Sequence, residues 1–266
     1  MNKFNIDNKV AIITGGSGLL GTTFCNAIAE IGGIPVILDK NIKEAKLLSD
    51  SINKSFQINS LAIKTDITSE TSLKNALKLI NKKYKKIDIL VNNAANNHQI
   101  NQNISNSLEQ FSLANWQNDI DVGLKGPFLC TKIFGREMSK NKSGVIINIS
   151  SDLGIIAPDQ RLYETKKGKK TYKAVTYSVI KHGIIGLTKY TASYWSNKGI
   201  RSNALCPGGV FNNQPKEFVN KVKKLIPLNR MANVNEYKSA IQFLCSDASS
   251  YMNGSCLIMD GGRTIW

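Results

Sequence analysis

Lys9-Val10-Ala11-Ile12-Ile13-Thr14-Gly15-Gly16-Ser17-Gly18-Leu19-Leu20-Gly21 decides how this chain folds. The first five residues form a short apolar run rich in β-branched side chains, the pattern of a buried parallel strand. Beyond the turn, Leu20, Phe24, Ala27, Ile28 and Ile31 follow helical spacing, and Gly32-Gly33 stops the helix. This context of strand, glycine-rich turn and helix gives the glycines a physical meaning. They let the backbone turn tightly and approach a pyrophosphate, whose charge a helix N-terminus favours. Gly15, Ser17, Gly18, Leu19, Leu20 and Gly21 are therefore the candidate phosphate-binding turn of a dinucleotide site.

Ile34-Pro35-Val36-Ile37-Leu38 reads as a second strand, ended by Asp39. Asp39 lies 18 residues beyond Gly21, close to where an acidic residue grips the adenosine ribose. A carboxylate there accepts hydrogen bonds from the ribose hydroxyls and repels a 2′-phosphate. NAD is therefore expected ahead of NADP, a preference that Lys40 and Lys43 soften.

The alternation continues. Leu61–Thr65 is a third strand, and Leu73, Ala76, Leu77 and Ile80 mark an amphipathic helix that Thr68 or Ser69 caps. Ile87–Val91 is a fourth strand, closed by Asn92-Asn93-Ala94-Ala95, where amides tie neighbouring backbones together and small alanines let a flat ring pass. A polar excursion over 96–112 precedes one helix from about Asn115 to Ser139. Gly144–Ile149 is the fifth strand, Ile200–Leu205 the sixth and Ser255–Asp260 the last. A helix over 175–198 lies between the fifth and sixth, and helices near Phe218–Ile226 and over 235–245 follow the sixth. Strands alternating with helices, without linker or repeat, imply one doubly wound parallel sheet with helices on both faces, a single α/β domain over 1–266. Ligands in such sheets bind beyond the carboxyl ends of the strands.

Composition narrows the function classes. No apolar run approaches a membrane span, and the polar Met1–Asn8 lacks the core of a signal peptide, so a cytoplasmic protein is expected. Five scattered cysteines show no CxxC spacing, so neither a metal site nor a disulfide framework is expected. The net charge of +16 comes from lysines spread along the chain. That reads as a solvated surface compatible with an anionic small substrate, with neither a nucleic-acid nor a membrane partner expected.

Tyr177 and Lys181 stand four apart on the expected 175–198 helix and share one face. An ammonium beside a phenol favours the phenolate, so the pair is a candidate acid/base couple with the tyrosine lowered toward the working range.

Taken in order, these features resemble the short-chain dehydrogenase/reductase family over essentially the whole chain. Thr14–Gly21 resembles its cofactor turn, Asn92–Ala95 its Asn-Asn-Ala-Gly element, and Tyr177-x-x-x-Lys181 its central motif. Ser151 stands three residues before Gly154, as the family's serine stands before a glycine; Pro207-Gly208 and Asp260-Gly261-Gly262 match later markers. The resemblance implies a Rossmann-type seven-stranded sheet and an NAD(P)-dependent oxidoreductase. It implies that Tyr177 passes the hydroxyl proton, that Lys181 lowers its pKa and holds the nicotinamide ribose, and that Ser151 binds the carbonyl oxygen, with Ser150 as the competing serine. It places Asp66 and Ile67 beside adenine and Asn93 at the adenosine-side ribose. Ala94, Ala95, Pro207, Gly208 and Val210 complete the implied cofactor contacts.

Four departures stand out. Leu19 occupies a usual glycine position, which resembles extended members acting on nucleotide sugars. Gly123 stands where an asparagine usually completes the catalytic set, with Asp121 as candidate substitute. Asn212 stands where many members have threonine. Ser151 and Tyr177 are 26 residues apart, about twice the family interval.

The insertion, 152–176, carries Arg161, Lys166, Lys167, Lys169, Lys170 and Lys173, with Tyr163 and Tyr172. Basic residues beside a reacting carbonyl suggest a phosphate or carboxylate on the substrate; a solvated loop is the competing reading. The segment 211–231 is expected to act as a substrate flap. Ile156–Arg161 and Pro207–Gln214 resemble a subgroup tied to bacterial surface-sugar and flagellin modification. The expected reaction is therefore hydride transfer at a hydroxyl or ketone of a sugar phosphate or nucleotide-linked sugar. A polyol or acyl-carrier ketone, or cofactor binding with weak turnover, are the alternatives. The family resemblance further implies a homodimer or homotetramer.

Overall fold

The computed structural model of the chain describes residues 2–96, 106–164 and 171–266. Its centre is a parallel seven-stranded sheet: β1 (Val10–Thr14), β2 (Ile34–Asp39), β3 (Leu61–Lys64), β4 (Ile89–Asn92), β5 (Gly144–Ile149), β6 (Ile200–Pro207) and β7 (Cys256–Met259), in the order 3-2-1-4-5-6-7. The chain winds outward from β1 to β3, then returns to place β4 on the other side of β1. In β1, Ile12 pairs with Val36 on one flank and Leu90 on the other.

Strand alternation sorts the core. Val10 and Ile12 face Leu73, Ile80, Phe134 and Met138, whereas Ala11 and Ile13 face Phe24, Ile28, Ile241 and Leu244. The first set lies on helices α3 (Glu70–Tyr84) and α5 (Gly126–Lys140); the second lies on α1 (Leu19–Glu30) and α8 (Lys238–Cys245). Between them come α2 (Ile42–Phe56), α4 (Leu113–Ile120), α6 (Val175–Tyr194) and α7 (Lys216–Lys223). Helix α2 is not among those expected from sequence; its buried side is thin, with Ala45, Ser49 and Ile52. Ser69, not Thr68, caps α3 by accepting from the Ser72 N–H.

Two expected helices differ. The single helix expected over 115–139 is broken into α4 and α5 by a π-type turn, Asp121–Lys125, in which the Gly126 N–H donates to Asp121 O. Pro127 explains the break, because it has no N–H for the ordinary helical bond. Helix α6 ends at Tyr194, and a 3-10 turn leads to Gly199, whose φ of +65° suits glycine. Lys166, Lys167, Lys169 and Lys170 of the insertion, and part of the excursion after Ala95, lie outside the described residues. Among the described residues no helix is long and apolar enough to cross a membrane.

Candidate active site

A cleft of about 690 Å3 runs along the carboxyl ends of the strands. At one end the β1–α1 turn forms a backbone cradle. Gly15 has φ +59°, and a Cβ there would lie 2.8 Å from Ala94 Cα. Gly21 does not line the cleft. It lies beneath the turn, where a Cβ would sit 2.2 Å from Gly15 O, so its part is packing rather than ligand contact. Helix α1 starts after Gly18 with no side-chain cap, which leaves its first N–H groups for an anion. Ser17, Leu19 and Leu20 line this end.

Asp39 holds the turn in place. Its Oδ2 accepts from Ser17 N at 3.1 Å and Ser17 Oγ at 2.7 Å, and its Oδ1 accepts from Asn41 N at 3.0 Å. Lys40 lines the cleft but pairs with Asp66 at 3.3 Å, not with Asp39. Asp66 itself stands outside the lining, whereas Ile67 is in it. Partial burial works the other way, but hydrogen bonds from Thr68 and the Lys40 cation hold the Asp66 carboxyl below the usual range. Asn93 lines the cleft, and its amide donates to Thr14 O and Gly15 O, each at 3.0 Å, which secures the glycine turn. Ala94 and Ala95 follow it along the wall, and Pro207, Gly208 and Val210 form the opposite one. Glycine cradle, uncapped helix and ribose-side carboxylate together fit a nicotinamide dinucleotide.

The reacting end brings Ser151, Tyr177 and Lys181 into the same cleft. Ser150 and Ser151 are told apart by their partners. Ser150 Oγ donates to Lys181 O at 2.7 Å and lies against Gly154, which braces α6 on the strand end. Ser151 Oγ donates to Asp152 Oδ1 at 2.7 Å. Asp152 is in turn paired with Arg263 at 3.1 Å, and both side chains are buried. Lys181 is buried, and its Nζ donates to Ile149 O at 2.9 Å.

The electrostatics differ from expectation in one respect. Burial pushes the Tyr177 phenol above its ordinary value, Ser151 works against that, and the Asp152 carboxylate adds to it. The expected lowering by Lys181 does not dominate here, because its ammonium lies 5.7 Å from the ring centroid and points at a carbonyl. Burial, reinforced by nearby Lys173, lowers Lys181 to about 8.

Asp121 does not replace the missing amide. It is held at the surface by Gln117 at 2.9 Å and Lys125 at 2.9 Å. The place is filled from α6: a Cβ on Gly123 would come within 2.7 Å of Ile180 Cδ1 and Cγ2. The insertion expectation also changes. Arg161 forms a two-pronged pair with Asp159, at 2.9 and 2.7 Å, and is exposed, so its charge is already matched. Of the basic insertion residues named from sequence, Lys173 reaches the cleft. Asn212 lines it too, as do Phe218 and Val222 of α7 in the expected flap. Phe218 packs on Tyr163 of the insertion, with ring centroids 5.9 Å apart. Asp152 and Arg263 are the site residues that the sequence reading gives no role, since each acquires its place only through folding.

Comparisons with known proteins agree with this geometry. The family model described as enoyl-(acyl carrier protein) reductase matches residues 18–264. An NAD-dependent glycerol dehydrogenase of Listeria innocua is 33% identical, covering 98% of this chain and 96% of that one. A post-translational flagellin modification protein A of Campylobacter coli is 29% identical, covering 97% and 98%. The crystal structure of a gluconate 5-dehydrogenase from Burkholderia cenocepacia, in complex with NADP and tartrate, is 28% identical with a TM-score of 0.87, covering 100% and 98%. The chain belongs to the short-chain dehydrogenase/reductase family. It is an NAD(P)-dependent oxidoreductase acting on CH–OH groups or the corresponding ketones.

Proposed function

We propose that the chain uses NAD(H) to transfer hydride at a hydroxyl or ketone carbon of an anionic sugar, either a sugar phosphate or a nucleotide-linked sugar. The observation that carries the anionic part is the charge left over at the reacting end. Asp152 is matched by Arg263 and Asp159 by Arg161, while Lys173 and Lys181 have no carboxylate within ion-pairing distance among the described residues. Two cations with no carboxylate partner, held around Tyr177 in a partly buried cleft, leave that end positive, and this field favours an anionic ligand. For the cofactor, the Asp39 carboxylate stands at the ribose end, and Lys40 beside it is engaged by Asp66. That favours NAD over NADP.

In this reading the nicotinamide, when bound, supplies or takes the hydride. Tyr177 gives or takes the proton on the substrate oxygen, and Ser151 hydrogen-bonds that oxygen. Lys181 binds the neighbouring ribose and keeps positive charge beside the phenol. Asp152, fixed by Arg263, sets the Ser151 rotamer. Phe218, Val222 and Leu162 form an apolar wall that limits water.

A neutral polyol is the second reading, favoured by the likeness to a glycerol dehydrogenase. Following NADH absorbance over sugar phosphates, sugar acids, nucleotide sugars and polyols, with NAD and NADP in parallel, separates the two. The expected result is turnover of a phosphorylated or nucleotide-linked sugar with NAD, weakening as salt rises. Salt-insensitive turnover of a neutral polyol selects the second reading. The likeness to a flagellin modification protein is compatible with a role in surface-sugar biosynthesis.

The assembly belongs to the same proposal. Phe128 on α5 and Val179, Tyr190 and Tyr194 on α6 are exposed, which supports a homodimer or homotetramer built on these helices. Light scattering at micromolar concentration is expected to give twice or four times the chain mass of 29.3 kDa; the mass of a single chain refutes this.

A further inference from the structure

Lys173 is the residue of this site that family pattern and motif spacing leave unexplained. It lies near the end of the insertion, just before α6, and its backbone N–H donates to Gln160 Oε1 at 3.0 Å. That bond anchors the segment against the 3-10 turn Gln160–Tyr163. The side chain turns inward, and its ammonium sits over the Tyr177 ring, 3.8 Å from the centroid. This is closer than the Lys181 ammonium, at 5.7 Å. Lys173 also lines a second, smaller cavity of about 90 Å3 behind Tyr177, together with Gly123, Ile180 and Lys181. A lysine drawn into such a place loses hydration, and among the described residues no carboxylate pairs with it. The ring face and the charge that forms on the phenol are its available partners.

From this placement we infer that Lys173 is a second cation for Tyr177, a positioning residue that works with Lys181 to favour the phenolate. It takes over electrostatic work at a site where the apolar Ile180, packed against Gly123, has displaced the usual amide. The physical basis is proximity: an opposite charge within about 4–6 Å favours the ionised form of its neighbour. The other groups around Tyr177 do not already supply this. Lys181, on its own helix, is drawn toward Ile149 O. Asp152 after β5 opposes ionisation and is itself paired with Arg263 from the C-terminal segment. Tyr163 of the insertion is neutral, with burial holding its phenol well above the ordinary range. Asp119 of α4 accepts from Thr176 Oγ1 at 2.6 Å. Burial pushes the Lys173 ammonium below its ordinary value, while Asp152 works to keep it charged.

This inference rests on the acid/base reading of Tyr177, and its primary readout is a titration made without substrate. Tyrosinate absorbance of the full chain is titrated with pH for the wild type, Lys173→Met and Lys173→Arg, each with and without Tyr177→Phe. The difference isolates Tyr177 from the other tyrosines. The expected result is that Lys173→Met moves the Tyr177 step upward by about one pH unit or more, and that Lys173→Arg restores most of the shift. Circular dichroism identifies any variant that has lost its fold, and Lys173→Gln serves if the Met variant does. An unchanged Tyr177 step in a folded variant overturns the inference. So does a variant that keeps this step and only binds anionic substrates less well, because Lys173 is then a substrate anchor. If Tyr177→Phe retains full turnover on the substrate panel, the acid/base reading falls on its own account, whatever the titration shows.

Discussion

Tyr177→Phe is expected to lower turnover by roughly 10²–10⁴-fold while NADH still binds. The substitution removes one oxygen and keeps the ring, so the packing against Lys173 and the insertion survives. The dinucleotide end of the cleft, built from the β1–α1 turn and Asp39, is untouched. Loss of turnover with NADH fluorescence titration unchanged supports the assignment. Equal loss of both means that Tyr177 serves to hold the site together. Because burial holds the Tyr177 phenol above its ordinary value, oxidation by the wild type should quicken as pH rises toward the phenol's ionisation. Reduction, which needs the protonated phenol, should be favoured at lower pH.

Arg263→Met is expected to cost about 3–5 kcal/mol, the typical result of stranding one partner of a buried ion pair. The pair spans the fold: Arg263 sits in the final 3-10 turn, Asp152 follows β5, and their side chains meet at 3.1 Å with both residues buried. In the melting temperature this is a drop of roughly 10 °C. The pH dependence has a definite sign. Burial already raises the Asp152 carboxyl above its unfolded value, against the pull of Ser151 and Arg263. The folded state therefore binds the extra proton, and stability tied to this group declines as pH rises above the unfolded value. Removing Arg263 widens that window, so the deficit should be larger at pH 7 than at pH 5. A small deficit, equal at both, would mean that water reaches Asp152 and replaces the guanidinium. Turnover should fall as well, because Ser151 Oγ takes its orientation from Asp152.

Parts of the site were legible in the sequence because the chemistry is local. Gly15 and Gly18 shape a turn by backbone geometry alone. Asp39 ends a strand at a set distance from that turn, and Tyr177 and Lys181 share a helical face by periodicity. Other candidate residues acquired partners that only folding supplies. Asp66 is paired with Lys40 and hydrogen-bonded by Thr68. Asn93 was drawn to the carbonyls of Thr14 and Gly15. Arg161, expected to add charge at the substrate end, was matched by Asp159 two residues earlier.

The sequence by itself determined the parallel α/β sheet, its seven strands and the strand ends at which the cleft opens. Those follow from apolar runs alternating with helical periodicity, and from where glycines and carboxylates interrupt them. Only the tertiary structure decided how the reacting end is charged. The closeness of Asp152 to Arg263, of Ile180 to Gly123 and of Lys173 to the Tyr177 ring depends on segments far apart in the chain or on the path of an irregular loop. No periodicity encodes those distances, and burial, which sets the direction of the Tyr177 and Lys181 shifts, exists only once the sheet and helices have closed around them.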